Sequence, residues 1–429
     1  MLAAGVILLL FALLAIGVPV CFATAAAGAV GLYLVTGWAG MLAILKSAPL
    51  SVASENVLAT IAMFVLLAEF MLRSGAVDEL FEMLNAWIGQ VRGGLGLVTI
   101  LTGAGFATIC GSSTAAAAAL APTTIPQMVK RGYNPRLSSG LVTVVGTLAI
   151  MMPLSNGLIL YAVIANVSIA KMLMAGLVPS LLAAVFLILA LWGVLMWRPE
   201  WAPRTEQRAS WRERIRLLRY VGPIVALVFL TVGLIYFGVA TPTEAGSVGA
   251  FGAFVILGLR RRLTWAAVRE SLISAAGTSV MIIMIVVGAY MMGYFLTLSQ
   301  VAQTAITYMS AAHIPPQVVV GAAFALHFVL SFFMEQISIL VLIVPITLPI
   351  VTALGFNPIW YGVLNTLIAE IGLVTPPVGL NLFVVERYSD QKLGDIFRGV
   401  FPFMAALVVL VGVLWAFPGL SLWLPNTMR

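Results

Sequence analysis

The sequence predicts an all-α integral membrane protein built from two inverted copies of one unit, each copy carrying a helical hairpin. Three observations predict it. Hydrophobic residues make up 62% of the 429 and charged residues only 9%, where soluble domains carry about 25% charged residues. The chain also repeats itself: at an offset of 223 positions Pro122, Pro126, Pro135 and Pro153 fall on Pro345, Pro349, Pro358 and Pro376, and Gly132-Tyr133-Asn134-Pro135 falls on Gly355-Phe356-Asn357-Pro358. Apolar matches are cheap in such a composition, but proline, glycine and asparagine identities at one offset are not. Third, 19 of the 22 lysines and arginines fall on one side of the span model developed below, leaving only Lys46, Lys171 and Arg429 on the other.

Apolar stretches of about 20 residues mark spans. In the first copy they run near 2–17, 19–37, 57–72, 137–167 and 170–197, and in the second near 220–239, 243–260, 278–298, 359–385 and 399–424. Segments 94–129 and 316–351 are apolar but interrupted at Gly111-Ser112-Ser113-Thr114 and Met334-Glu335-Gln336, so each is expected to enter and leave on one side as a re-entrant hairpin. Each copy then has five spans and one hairpin. Five is odd, so the second copy enters from the opposite face. The lysine and arginine excess makes its own side cytoplasmic and turns both termini outward. The start of the chain lacks a basic region and runs into a second apolar stretch, which predicts a retained span rather than a cleaved signal.

Between spans, residues 76–91 place Val77, Leu80, Phe81, Leu84, Ile88 and Val91 at helical spacing with Asp78, Glu79 and Glu82 off that stripe. This predicts an amphipathic helix lying along the membrane surface or linking a moving part to a fixed one. Residues 198–219, arginine-rich with Pro199 and Pro203, read as a solvated cytoplasmic connector between the copies.

The chemistry is expected at four breaks, paired by the repeat. Two are the hairpin tips, Gly111–Thr114 and Met334–Ser338. Two interrupt spans, Met151 to Gly157 and Val374 to Gly379. Backbone outside a helix survives at membrane depth only where protein or a water-filled cavity surrounds it. Proline removes a donor and frees carbonyls, serine, threonine and asparagine add hard oxygens, and half-helix ends offer carbonyls to a cation and N–H groups to a carboxylate. The candidate residues are Ser112, Ser113, Thr114, Gly146, Thr147, Pro153, Ser155 and Asn156 in the first copy. In the second they are Glu335, Gln336, Gly372, Thr375, Pro376, Pro377, Gly379 and Asn381.

Glu69, Glu244, Glu335 and Glu370 lie in or beside apolar stretches, where a charge at the centre of a span costs about 2.5–3.5 kcal/mol. Glu335, at a hairpin tip, is placed to help hold a cation. Glu244 follows Thr241-Pro242-Thr243 and reads as a helix-start residue, and Glu69 is four residues from Arg73, a pairing distance on a helix. His313, His327, Cys21 and Cys110 have no partner set that reads as a metal or disulfide framework. No Gly-x-x-x-x-Gly-Lys-[Ser/Thr] loop appears, and no nucleophile has a base beside it. No cofactor is expected, and the chain reads as neither an ATPase nor a hydrolase.

Taken with these motifs, the chain resembles the large membrane (M) subunit of the tripartite ATP-independent periplasmic (TRAP) transporters over essentially its whole length. The resemblance rests on Arg92-Gly93-Gly94-Leu95 leading into Gly111–Ala115, on Pro126 to Pro135, on Gly146-Thr147-Leu148, and on Thr241-Pro242-Thr243-Glu244-Ala245. Glu370 to Asn381 is the most specific stretch. The resemblance implies an ion-transporter-superfamily fold of elevator type and a small four-helix membrane (Q) subunit. It also implies a periplasmic binding (P) subunit that delivers substrate, and sodium-coupled uptake of an organic acid such as a C4-dicarboxylate, a 2-oxo acid or a sialic acid across the bacterial inner membrane. It places one sodium site near Ser112, Ser113, Gly146 and Pro153, and another near Glu335, Thr375, Pro376 and Gly379. The chain departs from the family at Ala149 to Ser155, where Pro-Pro is usual, and at Met334-Glu335-Gln336, where Asp is frequent. The expected moving part comprises 57–167 with hairpin 94–129 and 278–385 with hairpin 316–351, and the expected scaffold comprises 1–56, 168–277 and 386–429. Two rival readings are a stand-alone sodium- or proton-coupled carrier of the same fold and a non-transporting membrane scaffold or receptor.

Overall fold

The computed structural model describes residues 2–203, 209–376 and 378–428, and among them every regular element is helical. The first half runs α1 (Leu2–Ala15), α2 (Val20–Ala53), α3 (Asn56–Arg73), α4 (Ala76–Ile88), α5 (Gly94–Cys110), α6 (Ser113–Lys130), α7 (Pro135–Thr147), α8 (Asn156–Ile164) and α9 (Ile169–Trp197). The second runs α10 (Trp211–Tyr236), α11 (Pro242–Leu259), α12 (Trp265–Leu298), α13 (Val301–Ala311), α14 (Pro316–Ser331), α15 (Gln336–Ala353), α16 (Pro358–Leu373), α17 (Leu380–Glu386), α18 (Leu393–Ala416) and α19 (Gly419–Thr427). Shifted by 223 residues, α6 falls on α15 end to end, and α7 and α16 begin at equivalent prolines.

The repeated Gly-aromatic-Asn-Pro motif is a helix stop followed by a helix start. Gly132 and Gly355 sit at φ 79° and 85°, where glycine closes a helix without a side-chain clash. Asn134 and Asn357 then cap α7 and α16, accepting from the N–H of Arg136 at 2.9 Å and of Ile359 at 2.8 Å. The proline behind each cap takes the first helical position, where its missing N–H costs nothing.

Both interrupted segments fold back as helical hairpins. In the first, Leu95 N–H donates to the Tyr133 hydroxyl at 3.1 Å and Thr99 faces Met128 at 3.5 Å, so the start of α5 lies beside the end of α6. Gly111 at φ 62° turns the chain between them. The second hairpin pairs α14 with α15 across residues 332–335.

The two halves run in opposite senses against α18, which has 24 residues and is therefore about 36 Å long. Arg136, behind the first Asn-Pro start, pairs with Asp395 at 2.8 Å near one end of α18. Trp360, behind the second, donates from Nε1 to Leu414 O at 2.9 Å near the other end. The equivalent loops thus lie at opposite ends of one helix.

Several elements depart from the sequence expectation. The span expected at 19–37 ends in direction at Gly37 (φ 73°, ψ −175°), but a further helical arm follows to Ala53. Its counterpart is the early part of α12, which begins at Trp265 rather than near 278. Lys46 and Pro49, and Arg269 and Glu270, lower the hydropathy of both arms below that of a span. Helix α13, the repeat counterpart of α4, lies outside the expected spans and hairpins. The connector 198–219 is not merely solvated. Ser210 caps α10 by accepting from Glu213 N–H at 3.3 Å, and Arg214 donates to Ala86 O at 3.0 Å, docking α10 on α4. The last expected span is divided before Pro418 into α18 and α19.

Seven helices among the described residues are long and apolar enough to cross a membrane: α2, α9, α10, α11, α12, α15 and α18. Of the other expected spans, α1 has 14 residues, α3 meets α4 at 62°, and α7–α8 and α16–α17 are broken.

The packing of the helices falls largely into two groups. Helices α2, α3, α11 and α12 pack on one another, whereas α9 and α18 pack on α7 and α16. Small residues allow the closest crossings, as transmembrane helices require. A Cβ on Gly28 would lie 2.8 Å from Met292 N in α12, and one on Gly399 would lie 1.9 Å from Arg136 O in α7.

Candidate functional site

Each of the four breaks starts a new helix, and the starts meet. Gly111 lies against the first span break: a Cβ there would be 2.6 Å from Leu154 O, and Asn156 N–H donates to Gly111 O at 3.4 Å. Ser113, 2% exposed at the start of α6, accepts from Asn381 Nδ2 in α17 at 2.6 Å. Gln336, 1% exposed at the start of α15, lies against α8, where a Cβ on Gly157 would come within 2.8 Å of its Nε2. Gln336 stands 223 residues after Ser113, so the two contacts are repeat-related. The hairpin of each half packs against the short helix beyond the break of the other.

Glu370, near the end of α16, is buried in this junction. Neither of its carboxylate oxygens has a hydrogen-bond partner among the described residues, and Ser113 and Glu335 are the polar groups that act on it. Glu335 caps α15, its Oε2 accepting from Ile337 N–H at 3.0 Å. Asn156 Oδ1, Asn381 Oδ1 and Gln336 Nε2 are likewise buried without partners among the described residues. Buried polar atoms are ordinarily satisfied, and these unsatisfied ones gather at a junction of helix ends. Residues 111–114, 151–157, 334–338 and 374–381 contain no lysine or arginine. Two acids, hydroxyls, amides and main-chain carbonyls form a hard-oxygen donor set suited to an alkali cation. The N-termini of α6, α8 and α15 turn N–H groups and positive dipole ends toward the same junction.

The remaining candidates are placed around this centre. Ser112 is half-buried, with Oγ 3.4 Å from Thr114 Oγ1. Ser155 caps α8 by accepting from Leu158 N–H at 3.2 Å, and Pro153 is buried in the same break. Gly146 packs on Ala117, one turn into α6, where a Cβ would lie 2.8 Å from the alanine Cβ, and Thr147 Oγ1 donates to Val144 O at 2.6 Å. Gly372 packs on Ser331 at the end of α14, and Gly379 opens α17 at φ 59°. Thr375 Oγ1 is turned back on its own helix, 2.5 Å from Ile371 O, and faces Met404 Sδ of α18 at 3.2 Å. Pro376 is exposed, and Pro377 lies outside the described residues.

Two polar residues that the sequence reading did not place at the site belong near it. Glu370 stood out as an acid in an apolar run five residues before the second span break and at the head of the most specific motif, but nothing in the sequence sets it beside Ser113. Asn365 in α16 is fully buried with both amide atoms unpartnered among the described residues, and a lone asparagine in an apolar span is its only sequence signal.

The other acids have structural duties. Glu244 and Thr241 form a capping box at the start of α11, Thr241 N–H donating to Glu244 Oε2 at 2.8 Å. Glu69 pairs with Arg73 and accepts from Ser274 Oγ at 2.6 Å. His327 is fully buried, with neither ring nitrogen partnered among the described residues. Among the described residues no group of three His, Cys, Asp or Glu side chains converges.

Residues 7–420 match the family model described as "Tripartite ATP-independent periplasmic transporter, DctM component". The chain is 32% identical to the C4-dicarboxylate TRAP transporter large permease protein DctM of Pseudomonas aeruginosa, over 91% of this chain and 93% of that protein. It is also 32% identical to the isethionate TRAP transporter permease protein DctMQ of Oleidesulfovibrio alaskensis, over 85% of this chain and 57% of that one. Among solved structures, the YdaH transporter of Alcanivorax borkumensis, a crystal structure described as having an unusual topology, superposes with a TM-score of 0.67 at 14% identity. The superposition covers 95% of this chain and 97% of that one, which establishes a common fold.

Proposed function

The chain belongs to the tripartite ATP-independent periplasmic transporter family as its DctM component, and on that premise we propose that it imports an organic acid by coupling the acid's entry to sodium. The observation that carries this reading is the meeting of four repeat-paired breaks around Ser113, Glu335, Gln336, Glu370 and Asn381. An anionic substrate and two carboxylates share a junction whose break segments carry no basic residue. Helix N-termini balance part of that charge, and sodium ions supply the rest. Substrate and cation then stabilise each other's binding, which is the coupling itself. Relatives named for a C4-dicarboxylate and for isethionate support a substrate with an acidic group.

In this proposal a periplasmic binding protein delivers the acid. A small four-helix membrane subunit packs on the framework; the fused DctMQ relative, longer than this chain, supports a companion of that kind. The protein sits in the bacterial inner membrane, the arginine-rich face cytoplasmic and both termini periplasmic. The moving body follows the packing: α5 to α9 with α14 to α19 travel against the framework of α1 to α3 and α10 to α12, and α4 and α13 are the links. No enzymatic step is involved.

The test is uptake into vesicles holding the chain and its small subunit, with candidate acids and the binding protein outside. An inward sodium gradient should drive accumulation only when the binding protein is present. Equal accumulation without the binding protein would make the chain a stand-alone carrier, and equal accumulation with potassium in place of sodium would remove the coupling ion.

A further inference from the structure

We propose that a basic cavity between α10, α4 and the α11–α12 turn seats the phosphate of an anionic phospholipid headgroup. The cavity has a volume of about 510 Å³ and gathers Arg219, Arg260, Arg261 and Arg262 against a single carboxylate, that of Glu79. Arg260 is already engaged: it pairs with Glu79 and donates to Ser74 Oγ at 2.9 Å and Tyr220 O at 3.2 Å. Among the described residues Arg219, Arg261 and Arg262 make no ion pair and no side-chain hydrogen bond. The nearby Asp78 carboxylate accepts from the Thr123 hydroxyl at 2.6 Å. Arg219 and Arg261 line the concavity without partners among the described residues, while the Arg262 guanidinium lies over Gly75, and two such arginines beside Arg260 are a receptor for a phosphate.

The backbone gives independent support. Helix α11 ends with Arg261 in the left-handed region at φ 57°, and the N–H groups of Arg261 and Arg262 donate back to Gly258 O at 2.9 Å and Leu257 O at 3.2 Å. Glycine fits that position without cost. The first repeat turns the equivalent corner with Gly37 at φ 73°, and no charged residue follows until Lys46. The corner itself therefore needs no arginine; the three consecutive arginines belong to the cytoplasmic charge excess and concentrate it at the mouth of this cavity.

A lipid fits better than a free phosphate because the cavity has an apolar lip. Leu259 is 75% exposed on its wall, and Trp265, just beyond the turn, is 80% exposed. An acyl chain covers such residues and a free anion leaves them bare. The charge bias sets this end at the cytoplasmic leaflet, where anionic headgroups face the protein.

Native mass spectrometry of the purified chain with phosphatidylglycerol or phosphatidylethanolamine tests the assignment. The wild type should retain phosphatidylglycerol in preference, and R219Q/R261Q should lower its retention by about tenfold. R212Q/R216Q, outside the cavity on the same helix, should leave retention unchanged. Equal loss in both double variants, or phosphatidylethanolamine retained as well as phosphatidylglycerol, would overturn the proposal. Complete displacement by inorganic phosphate would assign the cavity to a free anion and overturn the lipid. The wild-type comparison decides the matter if R219Q/R261Q does not fold. Sodium-coupled uptake is read in a separate assay, so failure here leaves that proposal standing.

Discussion

Ser113 and Asn381 are 268 positions apart and share a 2.6 Å hydrogen bond. That bond joins the tip of the first hairpin to the start of α17 in the second half, so it holds the junction closed as well as lining it. Ser113→Ala removes the acceptor and leaves a buried amide unpaired, which costs about 1–3 kcal/mol. The sodium concentration for half-maximal uptake should therefore rise by about tenfold, measured in vesicles. Glu370→Gln keeps the shape and removes the charge, and should weaken sodium at least as much. Thr375→Ala should act more weakly, because the Thr375 hydroxyl is engaged with Ile371 O. An unchanged sodium dependence in all three variants would take these residues out of the ion site. The residue types at the breaks were legible in the sequence, since proline, glycine and serine in an apolar run have few other uses. The pairings were not legible, because a partner more than 200 residues away leaves no local pattern. Glu335 was legible as a tip acid, but its capping of α15 depends on where that helix starts.

Among the elements, α7 and α18 meet where Gly399 faces the backbone of Arg136. Gly399→Ala would put a Cβ 1.9 Å from Arg136 O, a clash that only backbone movement relieves, costing about 1–3 kcal/mol. Gly412 lies on the same helix, where a Cβ would meet nothing within 4 Å among the described residues, and Gly412→Ala should leave stability unchanged or raise it by up to about 1 kcal/mol through helix propensity. Thermal unfolding of the purified protein separates the two. Equal melting temperatures would mean that α7 and α18 are not in close contact. The helix starts and the hairpins were readable from caps, prolines and hydropathy. The arms 38–53 and 265–277 were not, because each carries charge and lies beside a span whose end was drawn at the hydropathy drop. The repeat held the clue: α2 and the α11–α12 pair are equivalent, so Gly37 had to bend where the chain later turns at Arg261.

At the scale of the molecule, inversion is the organising fact, and α18 displays it by touching one Asn-Pro start at each end. Lys130 and Ala353 are repeat-equivalent exposed positions at the ends of α6 and α15. In a background without Cys21 and Cys110, a membrane-impermeant maleimide applied from outside should label Ala353→Cys and spare Lys130→Cys. Labelling of both from one side would place the equivalent ends on a common face. The packing partners of α9 and α18 were the least legible feature, because both read as ordinary spans and nothing in the sequence sets them on α7 and α16. The central claim is that the meeting of the four breaks binds sodium, and calorimetric titration of the purified chain measures this most directly. The account predicts saturable sodium binding that potassium does not reproduce, weakened by about tenfold in Glu370→Gln, a loss of about 1.4 kcal/mol in line with a charged contact. An identical sodium isotherm in the wild type and in Glu370→Gln combined with Ser113→Ala would contradict it.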